Sequence, residues 1–242
     1  MGNIDLSIII PCYNEGNKLI ENVKQVIDFM NINTNISNYE ILLVNDGSKD
    51  NTYEVGANLE KKYSVVRNIG YMVNRGKGGA VKEGIYLSRG KWVVFMDADL
   101  STNLKAINDV LANKDKYDVI IGSRRHNDTN LVKPQKFSRR LIGKTCSVLT
   151  NLIVPLHISD TQCGFKAFNG DLARKFIEKQ RLNGFAFDVE LLYIAKLNNY
   201  TIGEFGVEWE NDEDSRVSVF NSSVSFFIDL FKIRKNKRKY LL

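Results

Sequence analysis

Trp92-Val93-Val94-Phe95-Met96-Asp97-Ala98-Asp99-Leu100 is the stretch on which the fold turns. Its first five residues are apolar and include β-branched and aromatic types, the composition of a strand covered on both faces. The run ends in two carboxylates one residue apart, and positions i and i+2 of an extended chain point to the same side. In an open α/β sheet, ligands bind beyond the carboxyl ends of the strands, so Asp97 and Asp99 can share one target. Held about 5 Å apart, two such charges repel by about 3 kcal/mol at an effective dielectric of 20. A hard divalent cation, Mg²⁺ or Mn²⁺, removes that repulsion and fills its remaining shell with substrate phosphates and water. Asp97 and Asp99 are therefore candidate metal ligands. The competing account is an Asp-x-Asp that only opens a loop and caps the next helix.

Outward from this strand the same pattern repeats. Leu6 to Pro11, Tyr39 to Val44 and a weaker run from Val65 read as three earlier strands, and Tyr117 to Gly122 as a fifth. Helices are expected at about 17–31, through Lys62 and up to Ser88. Strand starts near 6, 39, 65 and 92 have the spacing of βαβ units, whose right-handed crossovers give a mostly parallel sheet flanked by helices, a Rossmann-like α/β architecture. Every turn after a strand then lies on one edge. Beyond the fifth strand the alternation decays: a helix is expected at about 137–152, a turn and short strand over 160–168, a helix at 187–195 and an edge strand at 202–209.

With 242 residues and 43% hydrophobic content the chain can bury a full core. The expected organisation is one domain over 1–219, with a donor half (1–125) and an acceptor half (126–219), followed by a tail at 220–242. Cys12, Cys146 and Cys163 are odd in number and widely spaced, which fits reduced thiols in a cytoplasmic setting and no zinc pattern. The amino terminus lacks the basic flank and apolar core of a secretory signal, and no run approaches 18 uninterrupted apolar residues. Lys232, Arg234, Lys235, Lys237, Arg238 and Lys239 account for the whole net charge of +6. A local anionic partner near the carboxyl terminus is expected, and no nucleic acid.

The polar turns supply the candidate pocket. Pro11 closes the first strand, and Tyr13 beyond it offers a flat face to a base or ribose. Asn14, Glu15 and Asp46 offer acceptors to base or ribose donors. Helix capping explains Asn14 and Asp46 equally simply. Gly76-Lys77-Gly78-Gly79 can set backbone N–H groups and an ammonium against phosphates at a helix start, yet it has neither P-loop nor Rossmann spacing. A tight strand-to-helix turn is the plainer account of its glycines.

Pro11-Cys12-Tyr13-Asn14-Glu15, Asn45 to Asp50, Asn74 to Gly84, Asp97-Ala98-Asp99-Leu100 and Gly122-Ser123-Arg124 together resemble the ordered motifs of the family 2 glycosyltransferases of GT-A fold. Asp160 to Phe168, Phe185 to Leu192, Glu208-Trp209-Glu210 and Asp229 to Arg234 are similar to the polyprenyl-phosphate sugar synthases, especially the UDP-glucose:dolichyl-phosphate glucosyltransferase branch. Asn45 departs from the usual Asp-Asp-Gly-Ser, and Ser101 stands where mannosyl relatives place a third metal-side ligand.

That resemblance implies metal-dependent, inverting transfer of a hexose, glucose first, from a UDP-sugar to a dolichyl or undecaprenyl phosphate. It implies donor contacts from Pro11, Tyr13, Asn14, Glu15, Asp46, Gly76, Lys77, Asp97 and Ala98, and catalytic roles for Asp99, Asp160 and Arg124. Arg124, Arg139 and Lys166 are the candidates for the lipid phosphate, because basic side chains, guanidinium groups above all, pair with phosphate oxygens. Asp160 is the candidate for orienting the acceptor or a sugar hydroxyl, against a purely structural role. With no spanning segment, attachment is expected through residues 220–242, read as an amphipathic basic helix on the cytoplasmic face of an anionic membrane. A carboxyl-terminal helix docked on its own sheet is the competing reading of that segment. A soluble glycosyltransferase, a sugar-phosphate nucleotidyltransferase and a non-catalytic binding module remain open alternatives.

Overall fold

The computed structural model describes residues 4–126, 128–131, 137–210 and 219–242, with the side chains of 17, 130–144 and 219–223 outside that description. In chain order the elements are β1 (Leu6–Cys12), α1 (Gly16–Asn33), β2 (Tyr39–Asp46), α2 (Thr52–Lys62), β3 (Val66–Tyr71), α3 (Lys77–Leu87), β4 (Trp92–Met96), α4 (Ala106–Asn113) and β5 (Val119–Ser123). They continue with β6 (Asn130–Leu131), α5 (Phe137–Ile153), β7 (Phe165–Asn169), α6 (Gly170–Lys179), α7 (Phe187–Leu197), β8 (Ile202–Gly206), β9 (Glu208–Trp209), α8 (Val219–Lys235) and a 3₁₀ turn at Lys237–Tyr240.

Seven strands form one sheet in the order β3-β2-β1-β4-β7-β5-β8. The pairings of β1 with β2 and β4, of β2 with β3 and of β5 with β8 are parallel. Strand β7 runs antiparallel to both β4 and β5, so six strands point one way and β7 alone is reversed. The amino-terminal end of β7 therefore opens onto the same edge as the carboxyl ends of β4 and β5, beside the Asp97 and Ser123 turns. The expected mostly parallel sheet is present, with this reversed strand in its interior, between β4 and β5.

Strand β4 is buried on both faces, as its composition demands. Val93 and Phe95 join the core under α3, α6, α7 and α8, while Val94 and Met96 join the core under α1, α2 and α4. The buried positions Leu19, Val23, Val26, Ile27 and Met30 of α1 recur at the helical period and lay one face on that second core. Helix α6 opens with Asn169, whose side chain accepts the amides of Asp171 and Leu172. Helices α4 and α6 add to the expected set.

The carboxyl-terminal segment is docked through one of its faces. Phe226, Leu230 and Ile233, spaced i, i+4 and i+7, belong to the main core together with Tyr240, while Val224, Ile228 and Phe231 lie exposed. The apolar residues of the amphipathic helix expected here thus fall into two stripes, one packed and one open. Helix α8 packs against α5 and α7. Among the described residues no helix is long and apolar enough to cross a membrane.

Candidate active site

The Asp97 to Leu100 turn leaves β4 at the carboxyl edge of the sheet. Leu100 adopts a left-handed backbone (φ 53°), its amide donates to the Asp97 carbonyl at 3.3 Å, and Asn22 of α1 donates to the Ala98 carbonyl at 2.7 Å. Asp99 accepts the Ser101 amide at 2.9 Å. Because Met96 pairs with Phe165 in the antiparallel register, Gly164 lies directly against Asp97, and a Cβ at Gly164 would overlap the Asp97 carboxylate. A glycine at the head of β7 is what gives that carboxylate its space.

Lys77, first residue of α3, reaches across to this turn, with Nζ 2.5 Å from Asp97 Oδ1. Burial works against the ammonium, but Asp97, then Asp188 and Asp99, outweigh it and hold the lysine above its ordinary pKa. The loop ahead of α3 is fixed by Asp46, which accepts the Arg75 amide on Oδ1 at 2.7 Å and the Gly76 amide on Oδ2 at 2.9 Å. Gly76 needs its glycine: its φ is +93°, and a Cβ there would meet the Asn183 carbonyl at 2.6 Å. Each oxygen of the buried Asp46 thus holds a backbone amide, and the residue shapes the loop that carries Lys77.

Tyr13 is 42% exposed at the end of β1, and Pro11 is half-buried within that strand. Asn14, left-handed at φ 58°, accepts the Lys49 amide at 2.8 Å and donates its own amide to Ser48 Oγ at 3.0 Å. The Glu15 amide donates to Thr52 Oγ1 at 2.8 Å. These contacts stitch the β1 turn to the β2 turn. The printed partners of the Asn14 and Asp46 side chains are amides of neighbouring turns, Lys49 for Asn14 and Arg75 and Gly76 for Asp46.

On the other side of β4 stands a fully buried carboxylate, Asp160. Arg124 grips it in bidentate fashion, Nε to Oδ2 at 2.7 Å and Nη2 to Oδ1 at 2.9 Å, and adds its backbone amide at 3.0 Å. Burial opposes the charge on Asp160, but Arg124 overrides it and holds the carboxyl well below the usual carboxylate range. The Arg124 guanidinium lies 5.7 Å from the centroid of the Trp209 ring, and the Thr102–Trp209 bridge and the Asn103 amide on the Glu208 carbonyl tie that strand to the Asp97–Asp99 turn. The two acids expected to work separately, Asp99 at the metal and Asp160 at the acceptor, flank one edge. Asp160 and its candidate partner Arg124 are joined to each other.

Lys166 does not stand where an acceptor phosphate would need it. Its side chain is 0% exposed, and Nζ sits 2.5 Å from the Cys163 carbonyl, 3.0 Å from Asp188 Oδ1 and 5.4 Å from the centroid of the Phe95 ring. The β7 register turns it inward beneath the sheet edge, so the expected lipid-phosphate contact is replaced by a buried ion pair. Asp188 has its pKa raised by burial, with Lys166 and then Lys77 opposing. Arg139 belongs to α5, and its side chain lies outside the described residues.

Asp188, Gly164 and Trp209 are parts of the site to which the sequence reading assigned no role. Each had a signal: an acid inside the apolar Phe187 to Ala195 helix, a glycine before an apolar strand, and a tryptophan between two glutamates. Among the described residues no group of three His, Cys, Asp or Glu side chains is placed to hold a metal. Asp97 and Asp99, the first of which already draws a cation, the Lys77 ammonium, nevertheless fit a hard divalent ion that would replace that ammonium and take its other ligands from phosphate and water.

A parallel sheet that gathers a paired-acid turn, a glycine-lysine helix start and a guanidinium–carboxylate pair on one edge has the architecture of a GT-A transferase. The model of glycosyl transferase family 2 matches residues 7–176, and the chain belongs to that family; it is a glycosyltransferase. The dolichyl-phosphate beta-glucosyltransferase of Dictyostelium discoideum is 37% identical over 96% of this chain and 74% of its own. The Homo sapiens protein of the same name is 33% identical over 95% of this chain and 74% of its own. Glucosyl-3-phosphoglycerate synthase from Mycobacterium tuberculosis, solved in complex with Mn²⁺, UDP and glucosyl-3-phosphoglycerate, shares the fold at a TM-score of 0.68 and 15% identity, over 99% of this chain and 81% of that one.

Proposed function

We propose that this glycosyltransferase moves a hexose, glucose first, from a UDP-sugar to a polyprenyl phosphate of the dolichyl or undecaprenyl type, with inversion at the anomeric carbon. The observation that carries the reading is the meeting of Lys77, Asp97 and Asp99 at one sheet edge, with the Asp160–Arg124 pair across β4. The names of the relatives support the choice of sugar and acceptor.

Asp97 and Asp99 would hold the divalent ion, Mg²⁺ or Mn²⁺, which supplies charge neutralisation for a departing nucleoside diphosphate. Lys77 adds a positive charge at the amino end of α3, where backbone N–H groups also favour phosphate. Tyr13 covers the nucleoside side of the pocket, and Asp46 fixes the loop that carries Lys77. Asp160 positions Arg124, whose partly exposed guanidinium is the chain's donor for the acceptor phosphate. Arg139, the other guanidinium candidate, would join it. A lipid phosphate is already anionic near neutral pH, so these side chains need only orient it and screen its charge.

The protein works as a peripheral enzyme on the cytoplasmic side of a membrane, a compartment that suits three free cysteines. Val224, Ile228 and Phe231 of α8 and Val148, Leu149 and Leu152 of the adjoining α5 are exposed apolar side chains, and the exposed basic residues from Lys232 to Lys239 follow them.

The test supplies labelled UDP-glucose with and without polyprenyl phosphate and with Mg²⁺, Mn²⁺ or EDTA. Label in the organic phase only when lipid phosphate and divalent ion are both present supports the reading. Label in a water-soluble glycan or protein, or turnover unaffected by EDTA, overturns it.

A further inference from the structure

The contact between Lys77 and Asp97 goes beyond shaping a pocket. Asp97 is one of two candidate metal ligands, yet its Oδ1 already holds an ammonium at 2.5 Å. A divalent ion bound at that oxygen and an ammonium so close to it cannot both be accommodated, because two cations a few ångströms apart repel strongly in a partly shielded site. One of them must leave when the other arrives.

Lys77 is built to be the one that moves. Its backbone is pinned: Asp46 accepts the amides of Arg75 and Gly76, and the amide of Gly79 donates to the Asn183 carbonyl at 3.2 Å. Gly78 lies close against Phe187, where a Cβ would come within 2.6 Å of that residue's own Cβ. Only the flexible four-carbon stem of the lysine is left to swing. A nucleoside diphosphate at the amino end of α3 gives the ammonium a second anion within its reach and frees Asp97 in the same motion.

We propose that Lys77 is an internal counter-cation, occupying the divalent-ion position at Asp97 in the nucleotide-free enzyme and surrendering it when a nucleoside diphosphate arrives, so that ion and nucleotide bind as linked ligands. The inference rests on the donor-site reading above. It requires a reciprocal coupling: UDP tightens the ion by the same factor by which the ion tightens UDP.

Mn²⁺ binding to the full chain, followed by electron paramagnetic resonance of the free ion, tests it without turnover. In the wild type UDP raises Mn²⁺ affinity at least tenfold. In Lys77→Met, which keeps the stem and removes the charge, Mn²⁺ binds at least tenfold more tightly than to the wild type in the absence of UDP, and UDP, which still offers the ion its phosphate oxygens, enhances binding by a smaller factor than in the wild type. Lys77→Gln is run beside it, and the same inequalities are required of whichever variant folds. Mn²⁺ affinity unchanged or weaker in the nucleotide-free variants, or an undiminished effect of UDP, overturns the handover. Asp97→Asn distinguishes failure of the handover from failure of the donor site: Mn²⁺ binding in the presence of UDP that is indifferent to this change rejects the donor-site reading itself.

Discussion

Buried charges set the sharpest constraints at the scale of single residues. Lys166 and Asp188 lie 3.0 Å apart with almost no solvent contact, so deleting either partner strands the other. Asp188→Ala is expected to cost about 3–5 kcal/mol in denaturant unfolding, while a Lys166→Met, Asp188→Leu double variant loses clearly less than the two single losses combined. An additive double variant would show that the pair is not coupled. Asp160 gives a pH signature. Its folded pKa is depressed below the unfolded value, so its stabilisation is complete above the ordinary carboxylate range and is lost as pH falls below that range toward its lowered value. Acid unfolding of the wild type should therefore lose an increment below about pH 4 that Asp160→Asn lacks, the difference being read from unfolding free energies measured across that interval. Gly164→Ala adds a methyl where the Asp97 carboxylate sits, and is expected to lower sugar transfer at least tenfold by displacing that group. Transfer at the wild-type rate would show that Asp97 has room to spare.

Among the elements, what was legible in the sequence follows from local physics. Strand β4, apolar on both faces and closed by two acids, announces its place and its edge, and β1, β2 and α1 do the same through their periodicity. The reversal of β7 is not local. Nothing in Phe165 to Asn169 distinguishes a strand running with its neighbours from one running against them, because both have two buried faces; the choice is made by its partners β4 and β5. That reversal is also what turns Lys166 inward and sets Gly164 against Asp97, so site features that depended on it were hidden as well. Helix α8 was half legible: its sequence showed an amphipathic helix with many apolar residues, and packing decided which of them are covered. Leu230→Ala removes a side chain with no solvent exposure and should destabilise by about 2–5 kcal/mol in denaturant unfolding. Phe231→Ser, one residue on and 61% exposed, should leave stability within about 0.5 kcal/mol.

Across the whole molecule, charges of different function are kept apart. The donor edge balances acids with Lys77 and Arg124, while the surplus of positive charge collects in the last turn of α8 and the 3₁₀ turn after it. The open stripe of α8 and the exposed residues of the adjoining α5 supply the apolar part of one surface, and the basic residues from Lys232 to Lys239 supply the charge. Near an anionic leaflet each basic residue contributes about 1 kcal/mol, an attraction that fades beyond a Debye length of about 10 Å at 0.1 M salt. The two contributions are separable. Cosedimentation with vesicles containing phosphatidylglycerol should be strong at low salt, weaken as salt rises, and fall sharply when Lys235, Lys237, Arg238 and Lys239 are replaced together by glutamine. Phe231→Ser should weaken vesicle binding at every salt concentration, because apolar burial is not screened. If the charge variant binds vesicles as the wild type does, the basic cluster serves some other anion. If Phe231→Ser has no effect on vesicle binding at any salt, its exposed stripe lies off the membrane and charge alone brings the enzyme to its lipid acceptor.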